Sequence, residues 1–259
     1  MPLADAKQRF SNRVADYARY RPRYPLALLG LLAKECNLGP EHRIADIGSG
    51  TGLLSKLFLD HGNRVYGVEP NAEMRSGGEE FLRAYANFTS VDGAAEATTL
   101  ANRAVDFVTA GQAFHWFDTS AAQREFRRIL RPGGWVVVVW QDRRMEETPF
   151  AREYEDLLVR FGVDYKSVKD TYPETEKMRG FFDVRTFKTR DLPNHQDFDW
   201  DGLCGRLRSS SYAPAENHRN YAPMMAELRR IFDRYCQNGL VRMQYFARVY
   251  FGKLGGEKP

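Results

Sequence analysis

Ile44-Ala45-Asp46-Ile47-Gly48-Ser49-Gly50-Thr51-Gly52 is the stretch on which the reading of this sequence turns. A short apolar run, Arg43–Ile47, leads into it, and an apolar-periodic run, Leu53–His61, leaves it, so the pattern predicts a strand, a glycine turn and a helix. Glycines at alternate positions permit a tight strand-to-helix turn and let a ligand lie against bare backbone. The first N–H groups of the helix stay free to meet it. Glu69 closes the next apolar strand, Arg64–Glu69, 21 positions after Gly48. In dinucleotide-binding folds a carboxylate at about 20 residues' spacing accepts hydrogen bonds from the ribose. Alone, the glycines are also compatible with a plain turn and the glutamate with a surface position. Together they point to an adenosine-containing cofactor at a topological switch point.

Working outward, strands are predicted at Phe88–Asp92, Val105–Ala110 and Trp135–Trp140, with helices at Glu73–Tyr85 and Ala121–Leu130. Strand–helix alternation at this spacing calls for parallel strands with right-handed crossovers. Upstream, Phe10, Val14 and Tyr17 fall at helical spacing over Lys7–Tyr20, and Pro22 and Pro25 end that helix. A second helix, Leu26 to about Cys36, precedes a Gly39-Pro40 turn. Beyond Gln141 the pattern changes. Asp142–Asp170 reads as charged and helical, Val184–Arg190 as a strand, Asp201–Ser209 and Glu216–Gln237 as helices, and Leu240–Leu254 as a long final strand placed antiparallel. The expected architecture is α/β: a doubly wound, mostly parallel, seven-stranded sheet with an N-terminal helical lid and a C-terminal helical insertion. Residues 1–30 form the lid and linker and 31–140 the cofactor-binding core. Residues 141–259 form the insertion and last strands, packed as one domain with that core.

The 259 residues are 43% hydrophobic, 28% charged and 13% aromatic, which excludes collagenous and disordered classes. The longest apolar runs, Leu26–Ala33 and Trp135–Trp140, are too short to span a bilayer. A net charge of +4 is too small to argue for nucleic acid. Cys36, Cys204 and Cys236 are odd in number and dispersed, so they outline neither a disulfide framework nor a metal site. Met1–Phe10 carries charge where a signal peptide needs an apolar stretch. A cytoplasmic protein is expected, with no membrane or nucleic-acid partner and no metal.

The dinucleotide fingerprint G-x-G-x-x-G tolerates Ala at its last position, and here that position is Leu53. The pattern is instead G-x-G-x-G with Asp46 two residues ahead, and this resembles the class I S-adenosylmethionine-dependent methyltransferases. Further blocks continue the resemblance in order. Val91-Asp92-Gly93-Ala94-Ala95-Glu96 is similar to the adenine-side motif of the small-molecule branch called methyltransferase type 11, which commonly has an acidic residue where this chain has Ala94. Asp106-Phe107-Val108, then Gly111-Gln112-Ala113-Phe114-His115-Trp116-Phe117, resembles that branch's fourth strand and His-Trp signature. Phe126 to Gly134 resembles the turn that follows, and Tyr17, Tyr20, Arg21-Pro22 and Tyr24-Pro25 resemble its lid. Arg208 to Tyr212 and Tyr250-Phe251-Gly252 look like looser family features.

The resemblance implies S-adenosyl-L-methionine as cofactor, bound by Asp46, Gly48, Ser49, Gly50, Gly52, Glu69, Pro70, Met74, Ala94, Ala95, Glu96, Gln112, Ala113, Tyr20 and Arg21. In it, Asp46 helps hold the amino end of the methionine moiety and Glu69 holds the ribose. The acceptor pocket is expected at Tyr17, Tyr24, His115, Trp116, Arg208 and Tyr212. Methyl transfer from a sulfonium is an in-line displacement in which positioning does most of the work. Tyr20, Tyr24, Trp116 and Phe117 are candidates for enclosing the methyl, and equally for core packing. His115 follows the C-terminal end of the fourth strand and is the candidate base, its ordinary pKa of about 6.5 suiting a hydroxyl or thiol acceptor; the alternative is a ring that only shapes the pocket. No Asn/Asp-Pro-Pro-Tyr/Phe run and no Pro-Cys follows that strand, which argues against methylation of exocyclic amines and covalent attack on pyrimidines. The Arg- and Lys-rich segment Lys7–Arg23 is read as a solvated helix face with Arg21 able to meet a carboxylate. The expected function is methyl transfer to an O, S, N or C atom of a small molecule. The alternatives are a nicotinamide-dependent oxidoreductase and a non-catalytic S-adenosylmethionine-binding module.

Overall fold

The computed structural model describes residues 20–165, 178 and 180–255. Seven strands form one sheet in the order β3-β2-β1-β4-β5-β7-β6. In chain order the elements are α1 (Ala27–Cys36), β1 (Arg43–Ile47), α2 (Leu53–Asp60), β2 (Arg64–Val68), α3 (Ala72–Leu82), β3 (Phe88–Val91) and β4 (Val105–Gly111). They continue with α4 (Thr119–Ile129), β5 (Leu130–Arg143), α5 (Pro149–Phe161), β6 (Lys188–Phe198), α6 (Trp200–Arg208), α7 (Tyr221–Tyr235) and β7 (Val241–Gly252). Strands β1 to β5 pair in parallel, and β7 runs antiparallel between β5 and β6. The order reverses between β1 and β4, so the carboxyl ends of those two strands open the crevice where such sheets bind ligands.

Alternation along the central strands supplies both faces of the sheet. Ile47, Val68, Val108, Val136, Val138 and Trp140 pack with Phe126 and Ile129 of α4 on one side. Ile44, Val65, Phe107, Val137 and Val139 pack with Leu28 and Leu32 of α1 and Leu54 and Phe58 of α2 on the other. A third cluster joins Tyr154 and Leu158 of α5, Leu203 and Leu207 of α6 and Leu228 and Ile231 of α7 to Val241, Met243 and Tyr245 of β7. It makes a cap over the outer end of the sheet, continuous with it through β7.

Three expectations are corrected beyond Gln141. The predicted helix over Asp142–Asp170 gives its first two residues to β5, because Asp142 and Arg143 pair with Phe246 and Tyr245 of β7. The helix itself is Pro149–Phe161, capped by the Thr148 hydroxyl accepting from Ala151 N–H at 3.0 Å; residues 166–177 lie outside the described residues. The strand expected at Val184–Arg190 starts at Lys188 and runs to Phe198. Its outer position in the sheet accounts for the displacement: an edge strand pairs on one side and tolerates Pro193, and its polar sequence carries little alternation. The helix expected from Glu216 begins at Tyr221, because turn bonds from His218 N–H to Ala215 and from Tyr221 N–H to His218 occupy the preceding residues. The predicted Lys7–Tyr20 helix lies, but for Tyr20, outside the described residues.

Candidate active site

The turn after β1 owes its shape to three glycines in the left-handed region, Gly48 at φ 64°, Gly50 at 56° and Gly52 at 81°. A Cβ on Gly48 would stand 2.6 Å from the Ala113 Cβ, and one on Gly50 would stand 3.2 Å from the Met74 Cε. The loop therefore touches the segment after β4 and the first turn of α3. Gly48 and Ser49 N–H groups are bonded to the Val68 carbonyl at 2.8 and 3.1 Å, which locks the loop against β2.

Glu69, just past β2, is buried at 8% exposure. Its Oε2 accepts from Gly50 N–H and its Oε1 from Asn71 N–H, both at 2.9 Å. Asn71 caps α3 by accepting from Met74 N–H at 2.9 Å, and Pro70 lies half-buried between Glu69 and that cap. Arg75 then bonds the Glu69 carbonyl at 2.8 Å and the Asp92 carboxylate at 3.1 Å, tying the ends of β2 and β3 together.

Asp46 lies near the carboxyl end of β1. It is 1% exposed, and its oxygens accept from the hydroxyls of Ser55 at 2.6 Å and Thr109 at 3.0 Å. These bonds brace β1, α2 and β4 from within, directly beneath the turn expected to meet the methionine moiety. Burial outweighs those hydrogen bonds and pushes its pKa up to about 6.

On the adenine side expected from the sequence, Ala94 and Ala97 exchange backbone hydrogen bonds at 3.1 Å and Ala95 is buried. The Glu96 carboxylate accepts from Asp118 N–H at 2.8 Å, joining this turn to the cap of α4. After β4, Gln112 holds φ 57°, strained for a residue with a Cβ. Its N–H bonds Val139 and its side-chain amide bonds the Gln141 carbonyl at 3.2 Å, so the strained residue is fixed to β5. His115 packs against Trp116 at 4.7 Å and Trp140 at 6.4 Å between ring centres. The residue opens to solvent, yet protein crowding the ring disfavours its cation and lowers its pKa to about 4. Its imidazole is neutral at pH 7, and a base of that strength pulls less on a hydroxyl proton than one matched to neutral pH. Phe117 belongs with Phe114 and Phe126 in the core.

Residues 20–24 lie across the same edge. The Tyr20 ring rests on Gly205 of α6, and the Tyr24 hydroxyl rests on Gly111 of β4, each where a Cβ would collide. The Arg23 carbonyl accepts from Gln141 at 3.1 Å and Asn194 at 2.8 Å, and the Arg21 guanidinium bonds the Ser209 carbonyl at 2.8 Å. Tyr17 lies outside the described residues. Tyr212 packs edge-on against Tyr165 at 4.7 Å, and Arg208 is half-buried. Ser55, Thr109, Asn71, Arg75 and Gln141 are site residues the sequence reading missed; only Asn71, an Asn opening a helix, carried a local signal. Among the described residues no His, Cys, Asp and Glu cluster could hold a metal ion, and no helix is long and apolar enough to cross a membrane.

A reversed strand order, a glycine loop at the switch point and a carboxylate after β2 define a nucleotide-cofactor class of α/β protein. Residues 45–138 match the methyltransferase domain family. An uncharacterized methyltransferase of Mycobacterium tuberculosis is 35% identical over 173 residues, which span 66% of this chain and 66% of the relative. A methyltransferase-like protein of Schizosaccharomyces pombe is 29% identical over 159 residues, 61% of this chain and 60% of that one. In three dimensions the chain is similar to a candidate type II methyltransferase from Anaeromyxobacter dehalogenans, with a TM-score of 0.65 and 24% identity over 92% of this chain and all of that one. The chain belongs to the class I S-adenosylmethionine-dependent methyltransferases.

Proposed function

We propose that the protein transfers a methyl group from S-adenosylmethionine to a small-molecule acceptor. The observation that carries this reading is the glycine turn itself: three left-handed glycines packed so closely against Ala113, Met74 and Leu82 that a Cβ on any of them would crowd its neighbour, with Gly50 N–H bonded to the Glu69 carboxylate. The residues present fit the cofactor. Gly48, Ser49, Gly50 and Gly52 offer backbone to its methionine part, Glu69 with Pro70 and Met74 accepts the ribose, Ala94, Ala95 and Glu96 border the adenine, and Gln112 and Ala113 close the inner wall with Tyr20 and Arg21 above. When bound, the sulfonium supplies an activated methyl for in-line displacement. Tyr24, His115 and Trp116 hold the acceptor and exclude water, and His115, neutral at pH 7, orients it by a hydrogen bond more than it abstracts a proton. Proximity and orientation of this kind contribute roughly 7–11 kcal/mol in well-positioned reactions.

The test is calorimetric titration with S-adenosylhomocysteine, which binds without needing the acceptor, with NADH and NADPH in parallel. Micromolar heat for S-adenosylhomocysteine alone is expected. Glu69→Ala weakens it by roughly tenfold to a hundredfold, the worth of a charge-assisted hydrogen bond of about 1.5–3 kcal/mol. Binding unchanged in Glu69→Ala, or heat with NADH instead, overturns the reading; binding with no turnover in a broad acceptor screen would favour a sensor over an enzyme.

A further inference from the structure

Beyond the cofactor cradle, the carboxyl end of β5 carries a buried cluster that methyl transfer as such does not need. Arg143, the last residue of β5, pairs with Tyr245 of β7. Its Nη2 bonds Glu155 at 3.0 Å and the Tyr165 hydroxyl at 2.7 Å, and its guanidinium lies 5.3 Å from the centre of the Tyr154 ring. Arg206 of α6, 4% exposed, bonds the Tyr245 hydroxyl at 3.2 Å and the Ser210 hydroxyl at 2.9 Å. Every one of its hydrogen bonds among the described residues thus goes to a neutral group. Among the described residues, these two guanidinium ions face one carboxylate, Glu155. A buried charge without a counter-charge is costly. Two donors are also left over: Arg143 Nη1 and the Tyr154 hydroxyl are buried with no hydrogen-bond partner.

The geometry points to this cluster as the binding site for a carboxylate on the methyl acceptor, which makes the substrate a small organic acid. The inference rests on the methyl-transfer reading above. Two unpartnered donors match the two oxygens of a carboxylate, and the uncompensated guanidinium supplies the charge. A phosphate, with more oxygens and more charge, would need further donors. Position agrees in kind: β5 neighbours β4, whose end carries His115, and Arg143 lies four residues past Val139, the partner of Gly111, so at roughly 3.3 Å per residue its backbone stands about 10–15 Å from the end of β4 on the same carboxyl edge. Half-buried Tyr212 and Arg208 form the side that reaches solvent. Arg143, Arg206 and Arg21 outweigh the burial of Tyr212 and lower its pKa to about 8, as an internal sign of the same surplus charge.

The experiment titrates the full chain, saturated with S-adenosylhomocysteine, with benzoate and succinate, then with benzamide, succinamide and inorganic phosphate. The acids are expected to bind and the amides not to bind, and the acids to suppress the ultraviolet phenolate band of Tyr212 by competing for its cations. Arg206→Gln should weaken acid binding at least about tenfold and Tyr154→Phe, which removes one hydroxyl and keeps the ring, several-fold, both with S-adenosylhomocysteine affinity unchanged. Should Arg206→Gln fail to fold, Tyr154→Phe decides. Amides binding as well as acids, phosphate binding in preference to both, or acids binding equally to Tyr154→Phe overturns the inference. Failure of S-adenosylhomocysteine itself to bind overturns the functional reading instead.

Discussion

The two ends of the sheet's carboxyl edge hold charge in opposite ways. At β1 and β2 the buried charges are carboxylates, Asp46 and Glu69, held by hydroxyls and backbone N–H groups that lie close in sequence or one strand away. At β5 and α6 they are guanidinium ions, Arg143 and Arg206, set among Tyr154 of α5, Tyr165 beyond it and Tyr245 of β7. The acidic end uses strand-turn-helix geometry, which a short run of residues can specify alone. The basic end exists only once three helices have closed over the sheet. On the function proposed above, the difference separates a site for a common cofactor from one for a particular acceptor.

The most forceful way to break the comparison is Gly48→Val. A β-branched residue at φ 64° is strained, and its Cβ meets Ala113 at 2.6 Å. Strain of about 1–2 kcal/mol and overpacking of about 1–3 kcal/mol predict a melting temperature lower by roughly 5–15 °C and loss of S-adenosylhomocysteine heat. A variant that melts like the parent would show the loop free to move.

The next pair sharpens it, because the two ends should respond to pH with opposite slopes. Asp46 has a folded pKa of about 6, above the 3.8 of an ordinary aspartate, so the native state keeps a proton that the unfolded chain releases between pH 4 and 6. Stability is therefore greatest below about pH 4 and falls as pH rises through 6, by about 3 kcal/mol at most. Asp46→Asn should flatten that slope in denaturant titrations run across the interval. Tyr212 goes the other way. Its pKa is lowered from 10.0 to about 8, so its contribution is full above 10 and is lost as pH falls through 8, by about 2–3 kcal/mol at most. Tyr212→Phe should remove a rise in stability between pH 8 and 10, and a rise that persists would mean the guanidinium ions do not govern it.

The smallest effect is expected at the joint between the adenine-side turn and α4. Asp118 accepts from Ser120 and Ala121 N–H at 3.0 Å, so Asp118→Ala should cost about 1 kcal/mol, or roughly 2–4 °C in a thermal melt. The Glu96 bond goes to the Asp118 backbone and survives the substitution.

The same contrast explains what could be read in advance. Arg43–Ile47, the glycines and Glu69 announce themselves because parallel strands buried on both faces leave apolar runs, and left-handed turns demand glycine. The order of later blocks extended that reading through β5. Arg143 and Tyr245 carry no such mark, since their meeting depends on the register of two strands about a hundred residues apart. The bounds of Lys188–Phe198 are not legible because an edge strand with one neighbour does not have to alternate, and the depth of Asp46 is not legible because sequence places a residue on a strand without saying how far it is buried.

One topological detail bears on how the chain comes into being. Strand β6 pairs with β7, and β5 has β7 as its outer neighbour, so the last strand in the chain wedges between two made earlier. During vectorial synthesis β1 to β5 can assemble as each emerges, while Lys188–Phe198 must wait for Val241–Gly252 to leave the ribosome. Until then the open flank of β5 is an unprotected strand edge. The β6–β7 flank of the sheet is thus the last to be born, and chains released early would present a finished parallel half beside a sticky border.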